Sequence, residues 1–170
     1  MVDRGKGNME IQANDSPNQK QLVADGQKKA NTMLKHQAEL SALTDCLSQL
    51  GHQFNSFAYR VVHGALNHPD NYLPQAVLKP ARLNSTPHLC CSLWGLSMFE
   101  TRDQLARRMK KNVKNSPNFL KLVGDHYVCL SLKSSHGLRT PSSKHGHFDF
   151  YPYTDCDVNS AVIEHAPLTL

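Results

Sequence analysis

The stretch His88–Phe99, HLCCSLWGLSMF, constrains the fold more than any other part of the chain. It holds the only Trp, Trp94, and two adjacent cysteines, Cys90 and Cys91, inside the densest apolar run. Thr101 follows, with Gln104 three residues on, the spacing of a helix capping box. The pattern predicts a buried central strand over Leu89–Met98 that feeds a capped helix. Leu105, Met109 and Val113 recur every four residues, so one face of that helix is apolar.

Other elements follow from period and punctuation. Phe57, Tyr59 and Val61 alternate with Ala58, Arg60 and Val62, predicting a buried strand over Phe54–Val62. Gly64–Pro74 is rich in turn formers and reads as a loop. Gln75–Thr86, with Pro80 and Pro87 nearby, is expected to be irregular or an edge segment. Val128, Leu130 and Leu132 mark a further strand, Ser134–Gly146 a long polar loop, and His147–Tyr151 another alternating strand before Pro152. Val162–Ile163 centre a last strand or helix turn.

At the other end, Ser16-Pro17-Asn18-Gln19 resembles a helix start, and Gly51 a helix stop. Met33, Leu40 and Leu47 recur every seven residues, as do His36, Leu43 and Leu50. This predicts a coiled-coil-like helix from Pro17 to Leu50, packed on its own domain or docked to a partner protein or second copy. The expected fold class is therefore α+β: a long N-terminal helix followed by a small mixed or antiparallel sheet with a capped helix packed on it. The expected division is a disordered tail at 1–15, a helical interaction segment at 16–51 and an α+β domain at 52–170.

Lys and Arg number 19 against 14 Asp and Glu, giving a formal net charge of +5. Such an excess suits nucleic acid, nucleotide phosphates or an acidic protein surface, or is simply a solvated basic face. Arg107, Arg108, Lys110, Lys111 and Lys114 gather on the helix after Thr101 and form a candidate nucleic-acid patch. No aromatics interleave with them, so base stacking is not indicated. No apolar run reaches the roughly 18 residues of a membrane span. No apolar leader precedes the domain, so a cytoplasmic location is expected. The cysteines are odd in number, and all are expected to be free thiols in a reducing compartment.

Chemistry-bearing motifs are sparse. The chain has no phosphate loop, no dinucleotide fingerprint, no CxxC and no HExxH. His145, His147 and Asp149, with His136, offer metal-ligand types, but with ten His in the chain such clustering arises by chance, and no metal is expected. Cys90 and Cys91 lie among apolar neighbours and read as buried structural cysteines rather than nucleophiles. Arg60 lies within a predicted core strand, where a guanidinium requires a compensating partner. That partner is either an internal carboxylate or a ligand phosphate. Ser97, just ahead of a capped helix, is a candidate second anion-binding element.

The order YR on an early strand, a polar loop, GLSMF and then a capped helix resembles the split-sheet ADP-ribosyltransferase fold. It is similar also to the RES-type toxins that degrade NAD. The segment KHGHFDFYPY resembles small bacterial proteins with the same YRVV and WGLS elements. The transferase resemblance implies an NAD-directed transferase or glycohydrolase of bacterial toxin or defence type, with NAD as the bound dinucleotide. It implies Arg60, Ser97 and a late acidic residue as catalytic, with Asp149 and Glu164 the candidates for the acid. It implies Tyr59, Arg60 and Ser97 as NAD-binding. The alternative is a non-catalytic interaction or accessory subunit that docks through its N-terminal helix and assists nucleic-acid binding.

Overall fold

The structure is a computed structural model and describes residues 33–51, 54–86 and 89–170. These residues fall within one compact unit, Thr32–Leu170. The expected tail at 1–15, and the expected helix up to residue 32, lie outside the described residues.

The described residues build a six-stranded antiparallel sheet. In chain order, α1 is Gln37–Ser41, β1 Asn55–Val62, α2 Gln75–Leu78, α3 Ala81–Ser85 and α4 Cys90–Trp94. Then come β2 Leu96–Phe99, α5 Arg102–Asn115, α6 Phe119–Val123, β3 His126–Lys133, β4 Gly137–Arg139, β5 His147–Pro152 and β6 Val162–Pro167. Across the sheet the order is β4-β5-β2-β1-β3-β6.

Alternation sets the two faces of the sheet. Ala58, Val62, Leu96, Met98, Val128, Leu130, Phe148 and Phe150 bury one face. The Val158–Ala161 turn and the partly buried Leu66 and Tyr72 cover it. On the opposite face Phe99 and Tyr127 receive Leu105 and Met109 from α5, as the four-residue spacing predicts. The capping box is present: Thr101 Oγ1 accepts from the Gln104 amide, and Gln104 Oε1 accepts from the Thr101 amide.

The long N-terminal helix is not found among residues 33–50. Only α1 and a 3-10 turn at Leu47–Gln49 occur there. Leu34 bridges to Tyr153, Asp45 takes a positive φ of 60°, and Gly51 bridges to Arg139. Leu34, Leu40, Cys46 and Leu50 bury against Leu138 and Tyr151, while Met33 is exposed. The leucines recur because the segment winds over the β4–β5 end of the sheet, not because one helix face is continuous. The segment therefore belongs to the same body as the sheet.

Three more expectations change. The apolar run begins as helix α4, and only Leu96–Phe99 is strand. A disulfide joins Cys46 to Cys91, leaving Cys90, Cys129 and Cys156 as thiols. It ties the N-terminal segment to α4. Gln75–Thr86, expected to be irregular or an edge segment, contains the short helices α2 and α3.

Candidate functional site

Among the described residues, β1 and β2 share one register pair, Tyr59↔Phe99. Beyond it the two strands diverge, and Arg60 fills the fork. Its guanidinium donates to the carbonyls of Asn71 at 2.9 Å, Ser97 at 2.9 Å and Leu73 at 3.4 Å. Arg60 is 9% exposed. Burial lowers its pKa to about 10, with Tyr72 and Asp149 raising it back, so it is charged at neutral pH. Sequence reasoning required an anion here. The structure answers the charge chiefly with backbone carbonyl dipoles, which cross-link the Gly64–Pro74 loop to β2.

That loop is organised by Asn71, which is 2% exposed. Its Oδ1 accepts from the His63 amide, and its Nδ2 donates to the carbonyls of Ala65 and Leu66. The loop therefore forms a rigid wall.

A cleft of about 950 Å³ opens at the fork. Register carries its floor: Ser97 pairs with Asp149, and Phe99 with His147, across β2 and β5. Ser97 Oγ lies 2.6 Å from His147 Nε2, and Asp149 Oδ1 lies 3.8 Å from the same nitrogen. Gly95 permits this approach, since a Cβ there would lie 2.8 Å from Asp149 Cβ and 3.0 Å from Tyr151 Cζ. Tyr151 Oη donates to the Cys91 carbonyl and so anchors α4 beside the floor.

Burial governs the electrostatics of the floor. It pushes the Asp149 carboxyl above its usual range, while a Ser92 hydrogen bond and the charges of His147 and Arg60 pull it back. Burial also lowers the His147 pKa, with Asp149 opposing and Arg108 assisting. Asp149 Oδ1 is buried and has no hydrogen-bond partner among the described residues. A neutral imidazole with its proton on Nδ1 accepts from the Ser97 hydroxyl at Nε2. Asp149 approaches Nε2, not Nδ1, so the three do not form a serine-protease relay, in which acid and serine occupy opposite ring nitrogens.

The structure thus brings Arg60, Ser97 and Asp149 together and adds His147, which sequence reasoning weighed only as a metal ligand. The signal was its alternation with Asp149 on one strand face. Tyr59 does not join them; it packs with Phe99, Leu105 and Tyr127. Glu164 also lies elsewhere, on β6, where it accepts from the Tyr127 hydroxyl. Ser97 makes no anion site with the helix start, because α5 is capped by its own Thr101 and Gln104 side chains.

Cations dominate the walls. Arg107, Arg108 and Lys111 from α5 line one side, with Lys79, Arg82 and Lys144 also at the lining. Lys110 and Lys114 are exposed on α5 but do not line the cleft. Asp70 and Asp149 are the carboxylates of the lining.

A metal-ligand group lies near the rim. His63, His68 and Asp70 place ligand atoms within 4.8 Å of one another. However, the two rings stack with centroids 4.1 Å apart, and His68 Nδ1 already accepts from the Asp70 amide at 3.2 Å. As for the sequence's metal candidates, His147 and Asp149 meet on the floor, while His136 Nδ1 accepts from the Lys133 amide. No helix among the described residues is long and apolar enough to cross a membrane. Compared with protein-family models, curated proteins and solved structures, the chain matches none of them.

Proposed function

We propose that the chain cleaves NAD, or a closely related nicotinamide dinucleotide, and passes the ribosyl group to water or another acceptor. The observation that carries this reading is Asp149: a buried carboxylate with an unpartnered oxygen, beside Ser97 and His147 on the floor of a cationic cleft. When the bond between ribose and nicotinamide breaks, the bonding pair leaves with the ring nitrogen and positive charge develops on the ribose. A carboxylate shielded from water stabilises that charge more strongly than an exposed one. The attacking water forms the new C–O bond and gives its proton to Asp149 or neutral His147. Ser97 Oγ, held by His147, is placed to hydrogen-bond a ribose hydroxyl. Arg60 keeps β2 and the Asn71 loop in position around these groups, and Arg108 adds positive charge for phosphate. The resemblance of YR and GLSMF to the ADP-ribosyltransferases supports the same substrate class. Loss of cellular NAD is the route by which such an activity serves as a toxin or in defence.

The compartment belongs to this reading. A cytoplasmic location was expected from free thiols, whereas the Cys46–Cys91 bridge favours an oxidising one.

The test is incubation with NAD and chromatographic measurement of nicotinamide. Wild type should release it, and Asp149→Asn should be slower by about 10² or more. No release by wild type, with NAD intact after prolonged incubation, would defeat the proposal. The short Ser97–His147 contact supports a second reading, a serine hydrolase. Labelling of Ser97 by a fluorophosphonate, with NAD untouched, would select it.

A further inference from the structure

We infer that the cleft also holds a single nucleic-acid strand, bound through its phosphates by the cationic walls. The argument is one of charge placement and shape. The lining contains seven Lys and Arg, counting Arg60, against two Asp, a net excess of five. The whole chain has a formal net charge of +5. Outside the lining the described residues carry seven Lys and Arg against eight Asp and Glu, so the excess of the described residues is concentrated in one concavity. Lys79, Arg107, Arg108, Lys111 and Lys144 are exposed, but they line one concavity rather than being spread over the surface.

Arg60 is already held by three carbonyls, and of the net excess of four that remains a dinucleotide pyrophosphate, with about two negative charges, answers only about half. A strand with one charge per nucleotide answers it along the length of the cleft. Arg107 and Lys111 stand four residues apart, hence on the same side of α5, and Asn112, Asn115 and Ser116 carry the lining onward with neutral hydrogen-bonding groups. The site is concave and walled by α5 and by the rigid Asn71 loop, which favours a strand or strand end over the broad convex surface of a duplex. His63 and His145 add flat polar rings to the lining. The inference concerns the walls and stands apart from the NAD reading of the floor.

The experiment uses fluorescence anisotropy with a labelled single-stranded RNA of about 12 nucleotides. Two charge-matched variants of the full chain are compared. Arg107→Glu with Lys111→Glu reverses charge inside the cleft, while Lys110→Glu with Lys114→Glu reverses the same charge on the same helix outside it. Circular dichroism and melting confirm that both fold. The cleft pair should lose about tenfold or more in affinity, and its log–log salt slope should shrink by about 1.4, about 0.7 per phosphate contact. The outside pair should lose less than about threefold. Equal losses from the two pairs would reduce the binding to unspecific attraction and overturn the inference. So would absence of binding by wild type at about 50 mM salt, or equally tight binding of a polyglutamate peptide of matched charge, which would point to an acidic protein instead. Nicotinamide release, read separately on the same preparations, shows whether the NAD reading stands or falls on its own.

Discussion

Arg60 shows how much one side chain can organise without an ionic partner. Three carbonyls from two separate segments converge on it, so Arg60→Met should cost about 2–4 kcal/mol, read by urea denaturation. Arg60→Lys should recover only part of that, because an ammonium cannot span three divergent acceptors with a planar fork. Asp149 should behave in the opposite way. Its folded-state pKa is raised, so its contribution to stability is present below the ordinary carboxylate range and is lost as pH rises through the folded value. At neutral pH the carboxylate therefore costs stability, and Asp149→Asn should raise it by about 1–2 kcal/mol while lowering turnover. That gain should fade as pH falls through the raised folded value, where wild type becomes protonated too. The same substitution removes the charge that holds the His147 pKa up, so imidazole NMR should show His147 titrating lower still. Asp149 and Ser97 were legible as candidates in the sequence. The acceptors of Arg60 were not, since backbone carbonyls leave no mark in side-chain patterns.

Among the elements, local signals were legible and long-range ones were not. The Thr101–Gln104 box lies within one turn, and the alternation of β1, β3 and β5 within single strands, so sequence spacing reports them directly. The heptads over Met33–Leu50 misled because leucines buried against Tyr151 and Leu138 obey the geometry of that surface, not of a helix. The Cys46–Cys91 bridge spans 45 residues and depends on the segment lying over α4, which no spacing rule reveals. Thiol titration of the denatured, unreduced protein should find three reactive groups. Cys46→Ser should destabilise by about 2–4 kcal/mol, as expected for opening a loop of that length. Gly95→Ala should disturb the α4–β2 junction, because the new methyl meets the Asp149 and Tyr151 side chains; about 1–3 kcal/mol of stability and most of the turnover should be lost together.

For the whole molecule, the N-terminal segment is a part of the core. Leu34, Leu40 and Leu50 are each buried, at roughly 1.5–3 kcal/mol apiece, which together rivals the net stability of a small domain. Deleting residues 1–50 should abolish the cooperative thermal transition, whereas a detachable docking helix would leave it intact. Calorimetry decides between them. The strand order has a consequence for biosynthesis. β2 lies between β1 and β5, so the partners of Ser97 arrive 50 and 52 residues later in the chain than Ser97 itself. A ribosome adding about 5–20 residues per second takes seconds to deliver them. A nascent or prematurely terminated chain ending before His147 carries the serine, the buried arginine and the basic helix, but neither His147 nor Asp149. Whatever chemistry the floor performs is therefore withheld from the translating cell until β5 has been made.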